Sequence, residues 1–219
     1  MNIQKTIAFL SQWKKELIAF VVIFLCLFLA ISFPVADSSQ FISRIIFFLI
    51  ILPSLFIKFI LKKNLAEFGL NLADNRKGFL WAGIMFVASL LITLVLFYFF
   101  KLETRYTLPN LVITNFWGFV LYEAVVMNFI LFIFEFFFRG FTQTILEKKM
   151  GHWAPLLQFI IFIGFLFLIH KLTWQYTPLI ILSLTGGIVA YKSKSFIYSY
   201  LMGLVFTLAL DLYIIELFK

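Results

Sequence analysis

Long apolar stretches follow one another along almost the whole chain, and short segments between them carry most of the charged residues. Most stretches reach the roughly 18 apolar residues that allow one helix to cross a bilayer. We predict membrane-spanning segments over roughly 17–36, 42–61, 79–100, 113–138, 153–171, 178–191 and 195–217. The pattern therefore predicts an all-α, polytopic membrane protein, a bundle of about seven transmembrane helices.

Two segments outside these stretches have an amphipathic pattern. Residues 1–16 alternate large apolar side chains with lysines, which predicts a short interfacial helix leading into the first span. The segment LKKNLAEFGLNLADNRKG repeats Leu and Phe at helical spacing, which predicts that it lies on the membrane surface. With no internal repeat or shift in composition, residues 1–219 are expected to form a single integral membrane domain.

Composition excludes several classes of protein. The chain is 63% apolar and only 13% charged, so it is too hydrophobic for a soluble or disordered protein. The net charge of +8 comes from residues at the ends of the apolar stretches and not from a basic stripe, which argues against nucleic-acid binding. The single cysteine, Cys26, excludes an intrachain disulfide scaffold.

The distribution of Lys and Arg predicts the orientation. If the N-terminus is cytoplasmic, most of the 18 Lys and Arg residues fall on the cytoplasmic side of the predicted spans. Because positive residues are retained on that side during insertion, we expect a cytoplasmic N-terminus. The lipid bilayer is thus the first partner that the sequence implies.

A few polar and ionisable residues interrupt the apolar stretches, where each charge costs at least about 2.5–3.5 kcal/mol. They are Glu123, Asn128, Glu135, Arg139, His170 and Asp211. Glu135 and Arg139 are four residues apart, so they share a helix face and suit an ion pair. Glu123 is turned about 120° away from Glu135 and is expected to be interfacial or separately paired.

Three of these residues are expected at one depth. Counted from the loops near Gly151 and Ser193, Glu135, His170 and Asp211 all lie ~24–29 Å into the membrane at 1.5 Å per residue. Because membrane helices have similar lengths, residues near their ends can also share one depth by chance.

A carboxylate beside an imidazole can activate water for hydrolysis. The three residues are also candidate ligands for a divalent metal, although no HExxH motif occurs, and buried acids and histidine also suit a proton path.

The sequence then resembles a known family of intramembrane peptidases. FEFFFRGFTQTILEKKMG resembles the first motif, EExxxR followed by Gly, of the CAAX protease and bacteriocin-processing (CPBP) family, which includes the type II CAAX prenyl endopeptidases. GFLFLIH looks like the second motif, FxxxH, and ends at His170. LTGGIVAYKSKSFIYSYLMGLVFTLALD resembles the closing HxxxN or HxxxD region and ends at Asp211. The resemblance covers residues 60–215.

The motifs are degenerate. The resemblance implies catalytic positions at Glu135, Arg139, His170, Thr207 and Asp211. In the family, however, the first Glu of EExxxR is the water-activating base, and this chain has Phe134 there. Thr207 likewise stands where the last motif has His. Loss of a catalytic base or an oxyanion donor commonly costs about 10²-fold or more in rate.

Three functions remain open from the sequence. The resemblance implies an intramembrane endopeptidase that cleaves a peptide or membrane-protein substrate with Glu135 as base, in the plasma membrane of a prokaryote. The substituted positions Phe134 and Thr207 imply instead a catalytically inactive member that binds membrane proteins or peptides as a scaffold or regulator. Buried Glu135, His170 and Asp211 would also suit a small proton-coupled carrier.

Overall fold

Helices make up the regular structure of the described chain. The computed structural model describes residues 3–72, 74–101 and 105–217, with the backbone alone for 3–16 and residue 38. Within these ranges there are seven long helices and a short one, α4. They are α1 (Ile3–Ser32), α2 (Ser39–Ile60), α3 (Asn75–Phe100), α4 (Asn110–Thr114), α5 (116–150), α6 (Ala154–Leu168), α7 (Thr177–Ser193) and α8 (Phe196–Leu217). The prediction of an all-helical protein is confirmed.

Length and hydropathy mark four described helical stretches as able to cross a membrane. These are α2, α3, α8 and the run Phe116–Leu168, which joins α5 and α6. In α1, Leu17–Ser32 is a shorter apolar helix. Four such stretches suit an integral membrane protein, because only a lipid environment accommodates so many exposed large apolar side chains.

Two helices extend past their predicted ends. α1 is one continuous helix from Ile3, so the predicted interfacial segment and the start of the first span are not separate helices, because the sequence of α1 has no Gly or Pro to interrupt the backbone hydrogen bonds. Residues 1 and 2 of the predicted interfacial helix lie outside the described residues. α5 continues beyond residue 138 and ends at Gly151, whose positive φ of 53° an L-residue rarely adopts.

The segment between α2 and α3 does not form the regular helix that its Leu and Phe spacing suggested, and its position on the membrane surface stays a prediction. Leu65–Phe68 forms a single 3₁₀ turn that ends at Gly69, which has a left-handed φ of 85°. The ring of Phe68 is buried in the core. The carbonyl of Gly69 accepts a hydrogen bond from the backbone N–H of Phe196, at 3.1 Å. This segment is therefore anchored to the start of α8. Residue 73 lies outside the described part.

The helices pack around α7 and a central hairpin. α5 and α6 fold back on each other after Gly151, and Phe138 of α5 meets Phe162 and Phe165 of α6 with ring centroids 5.0 and 5.8 Å apart. α7 packs against α3, α6 and α8 and against the 135–143 part of α5. This arrangement brings polar side chains of α5, α7 and α8 together inside the bundle.

Close packing of α3 on α8 generates a first prediction. A Cβ at Gly78 would lie 2.5 Å from the buried ring of Tyr198, whereas a Cβ at Gly83 of the same helix would meet nothing within 4 Å. Gly78→Ala should therefore destabilise the protein by roughly 1–3 kcal/mol, because the ring must shift. Thermal unfolding in detergent measures the effect, with Gly83→Ala as the control. Equal unfolding temperatures for the two variants would contradict this packing.

Candidate functional site

A buried ion pair lies where α5, α7 and α8 meet. Nη1 of Arg139 is 3.1 Å from Oε1 of Glu135, and both side chains are at most 3% exposed. The hydroxyl of Ser199 on α8 donates a hydrogen bond to the second carboxylate oxygen of Glu135. Nη2 of Arg139 donates to the carbonyl of Leu182 on α7, at 2.7 Å. The predicted pairing of Glu135 with Arg139 is thus present, and it links three helices.

Local backbone and small residues make room for this pair. Residues Glu135–Gln143 form a π-helical stretch, in which the turns are wider than in an α-helix. On α7, a Cβ at Gly186 would lie 3.4 Å from Nη2 of Arg139, and a Cβ at Gly187 would lie 3.2 Å from Oε1 of Gln143. The two glycines therefore accommodate polar side chains of α5.

A small polar cavity lies next to the pair. It has a volume of about 220 Å³, and Arg139, Glu67, Glu147 and Lys194 are among its lining residues. Lys194 and Glu147, which both line it, form an ion pair. The hydrogen bond from Lys63 lowers the pKa of Glu67 below its usual value, so this carboxylate is ionised at neutral pH. Charged side chains of both signs therefore line this cavity.

Asp211 belongs to a different group of side chains. It is fully buried on α8, and its Oδ1 accepts a hydrogen bond from the hydroxyl of Tyr106 at 2.8 Å. The half-buried carboxyl group of Glu123 lies within hydrogen-bonding reach of Asp211. The sequence predicted that Glu123 is either interfacial or paired separately from Glu135. In the structure, Asp211 is the partner of Glu123.

His170 and Asn128 are placed away from the ion pair. α6 ends at Leu168, and His170 follows it in a turn, with a left-handed φ of 55° and an exposed side chain. The depth argument assumed a helix that continues to residue 171, whereas the structure leaves His170 exposed and gives Glu135 and Asp211 different partners. The carbonyl oxygen of Asn128 accepts a hydrogen bond from the hydroxyl of Tyr200.

This separation bears on the metal hypothesis. In the part of the chain that the structure describes, no three His, Cys, Asp or Glu side chains are grouped closely enough to hold a metal ion. His170 is exposed, whereas Glu135 and Asp211 are buried with different partners. The three predicted ligands thus offer no common site in this arrangement.

The two positions that depart from the peptidase motifs face the same space. Phe134 and Thr207 both line an apolar cavity of about 330 Å³, together with Ile130, Leu179 and aromatic residues. The ring of Phe134 packs on the rings of Phe162 and Phe165. The hydroxyl of Thr207 bonds to the carbonyl of Gly203 in its own helix at 3.0 Å. The cavity therefore offers apolar surface at both positions, and the Thr207 hydroxyl is already engaged.

Several residues of the site were missed from the sequence. Ser199 and the carbonyl of Leu182 complete the ion pair, and Tyr106 completes the Asp211 group. Ser199 is a small polar residue in an apolar stretch, which was a weak signal for a polar partner. Tyr106 gave no signal, because 105 residues separate it from Asp211.

Comparisons with known proteins provide no relative. No protein-family model, no characterised protein and no solved structure matches this chain. The site is therefore interpreted from its own geometry.

The buried ion pair gives a second prediction. Glu135→Gln should destabilise the protein by about 3–5 kcal/mol, because it leaves the buried guanidinium of Arg139 without its counter-charge. Replacing both residues, as Glu135→Leu with Arg139→Met, should recover much of that loss. Unfolding in detergent at neutral pH measures both. Glu67→Gln, which removes an exposed ion pair, is the control and should change stability little.

The outcome distinguishes a structural role from a catalytic one. If the double replacement stays folded while Glu135→Gln alone does not, the pair acts through charge compensation. A Glu135→Gln variant as stable as the wild type would contradict this interpretation.

Proposed function

We propose that this chain is a non-catalytic, membrane-embedded protein that binds an apolar peptide segment. Its architecture would be that of the CPBP peptidases over residues 60–215, with seven spans, a cytoplasmic N-terminus and a location in the plasma membrane of a prokaryote. The order of the three degenerate motifs and the Lys and Arg residues near helix ends support this assignment. The seven long helices suit it.

The observation that carries the proposal is the lining of the apolar cavity. Phe134 and Thr207, which replace the family's base and histidine, both line it. Aromatic and aliphatic side chains make up most of the remaining wall. A cavity of about 330 Å³ with such walls suits one or two large apolar side chains of a bound segment.

The geometry supports catalysis less well than it supports binding. Glu135 would have to act as base, but it is buried in an ion pair with Arg139 and also bonded by Ser199. It does not line the apolar cavity. His170, the remaining motif histidine, is exposed beyond the end of α6. The proton-carrier hypothesis needs Glu135, His170 and Asp211 in one path, and their separate surroundings weaken it too.

A binding assay tests the proposal. The probe is a leucine-rich peptide without charge, acetylated and amidated at its ends, with an environment-sensitive fluorophore. It is titrated against the purified protein in phosphatidylcholine nanodiscs. Ile130→Trp puts a larger side chain into the cavity wall and should lower the affinity by about tenfold.

The neighbouring residue provides a matched control. Phe129 is on the same helix but is exposed on the outer surface, so Phe129→Trp should bind the probe as the wild type does. Unfolding temperatures verify that both variants are folded. Equal binding by the wild type and the Ile130→Trp variant would overturn the cavity as the binding site.

A further inference from the structure

One cation lies in the wall of the apolar cavity. Of the described residues that line this cavity, Lys171 alone carries a full charge, and it is exposed. Phe41, at the start of α2, also lines the cavity and is also exposed. The mouth of the cavity therefore lies between the start of α2 and the end of α6, and Lys171 stands at this mouth.

The turn that ends α6 positions Lys171. His170 has a left-handed φ of 55°, and its N–H donates to the carbonyl of Phe167 at 3.1 Å. The N–H of Lys171 donates to the carbonyl of Leu166 at 2.9 Å. These two bonds form a Schellman motif, in which the residue at the position of Lys171 commonly packs back on the last helical turn. The apolar stem of Lys171 can thus lie on the cavity wall while the ammonium group stays in water.

The ammonium group of Lys171 has no acidic partner in the described part of the chain. None of the four ion pairs found there includes it. It lies over the ring of Tyr176, another residue of the cavity wall, 5.8 Å from the centroid. Glu123 and Asp211 do not line the cavity, and each lies within hydrogen-bonding reach of the other. The cavity therefore combines apolar walls with one uncompensated positive charge.

We propose that the apolar segment bound in the cavity carries a glutamate side chain at one end, whose carboxylate binds the ammonium group of Lys171. This inference rests on the proposed function and specifies its ligand. The apolar part of the segment fills the cavity, and the flanking carboxylate meets Lys171 at the mouth. Because Lys171 is exposed, neither charge has to leave water completely, which avoids most of the desolvation cost of a buried pair.

Two peptides that differ in one charge test the inference. Both are the leucine-rich probe, with either glutamate or glutamine as the last residue of the apolar stretch. They are titrated at neutral pH and low ionic strength in phosphatidylcholine nanodiscs, because this lipid has no net charge. We expect the glutamate peptide to bind about three- to fivefold more tightly, as an exposed ion pair allows. The preference should largely disappear in about 1 M salt, which screens exposed charges.

Three variants identify the group responsible for this preference. Lys171→Met keeps an apolar stem without the charge and should abolish the preference for glutamate, and Lys171→Glu should reverse it. Arg105→Gln is the matched control. Arg105 is also exposed and lies over the ring of Trp174, 5.1 Å from the centroid, but it does not line the cavity, so this variant should keep the preference. Unfolding temperatures verify that all three variants are folded.

The outcomes separate this inference from the proposed function. Equal affinity of the wild-type protein for both peptides would overturn the carboxylate site, leave Lys171 to a lipid headgroup and keep the apolar binding function intact. A preference for glutamate that persists in Lys171→Met, or that Arg105→Gln removes equally, would also overturn the site. Binding of neither peptide would overturn the proposed function and this inference together.

Discussion

The ion pair of Glu135 and Arg139 sets the arrangement of the bundle interior. Two charges buried in the bundle need compensating partners, and here these come from three helices, although Nε of Arg139 has no hydrogen-bond partner among the described residues. α5 supplies both charges, α7 supplies the carbonyl of Leu182 and α8 supplies the hydroxyl of Ser199. A shift of any of these helices would leave a buried polar group unpaired, so the pair specifies their relative positions.

This constraint also separates the two sides of α5. Glu135 faces the ion-pair partners, whereas Phe134, the preceding residue, lines the apolar cavity. Consecutive helical residues point about 100° apart, so one carboxylate cannot serve both places. The carboxylate of Glu135 is therefore engaged in the ion pair inside the bundle, and Phe134 presents an apolar ring to the cavity.

Much of the fold was predictable from the sequence, because membrane helices are long, apolar and bounded by charges. The spacing of Glu135 and Arg139 also predicted their pairing correctly. The exposure of His170 was not predicted, since depth counting assumes a continuous helix and α6 ends at Leu168. The contact of Tyr106 with Asp211 depends on the tertiary fold, and no local pattern indicates it.

The central claim is that this protein binds without cutting. It is tested most directly by mass spectrometry of the N- and C-termini of membrane proteins and peptides in host cells, with and without the wild-type protein. The account predicts the same set of termini in both. New termini that appear only with the wild-type protein, in proportion to its expression, would contradict the claim and identify a substrate.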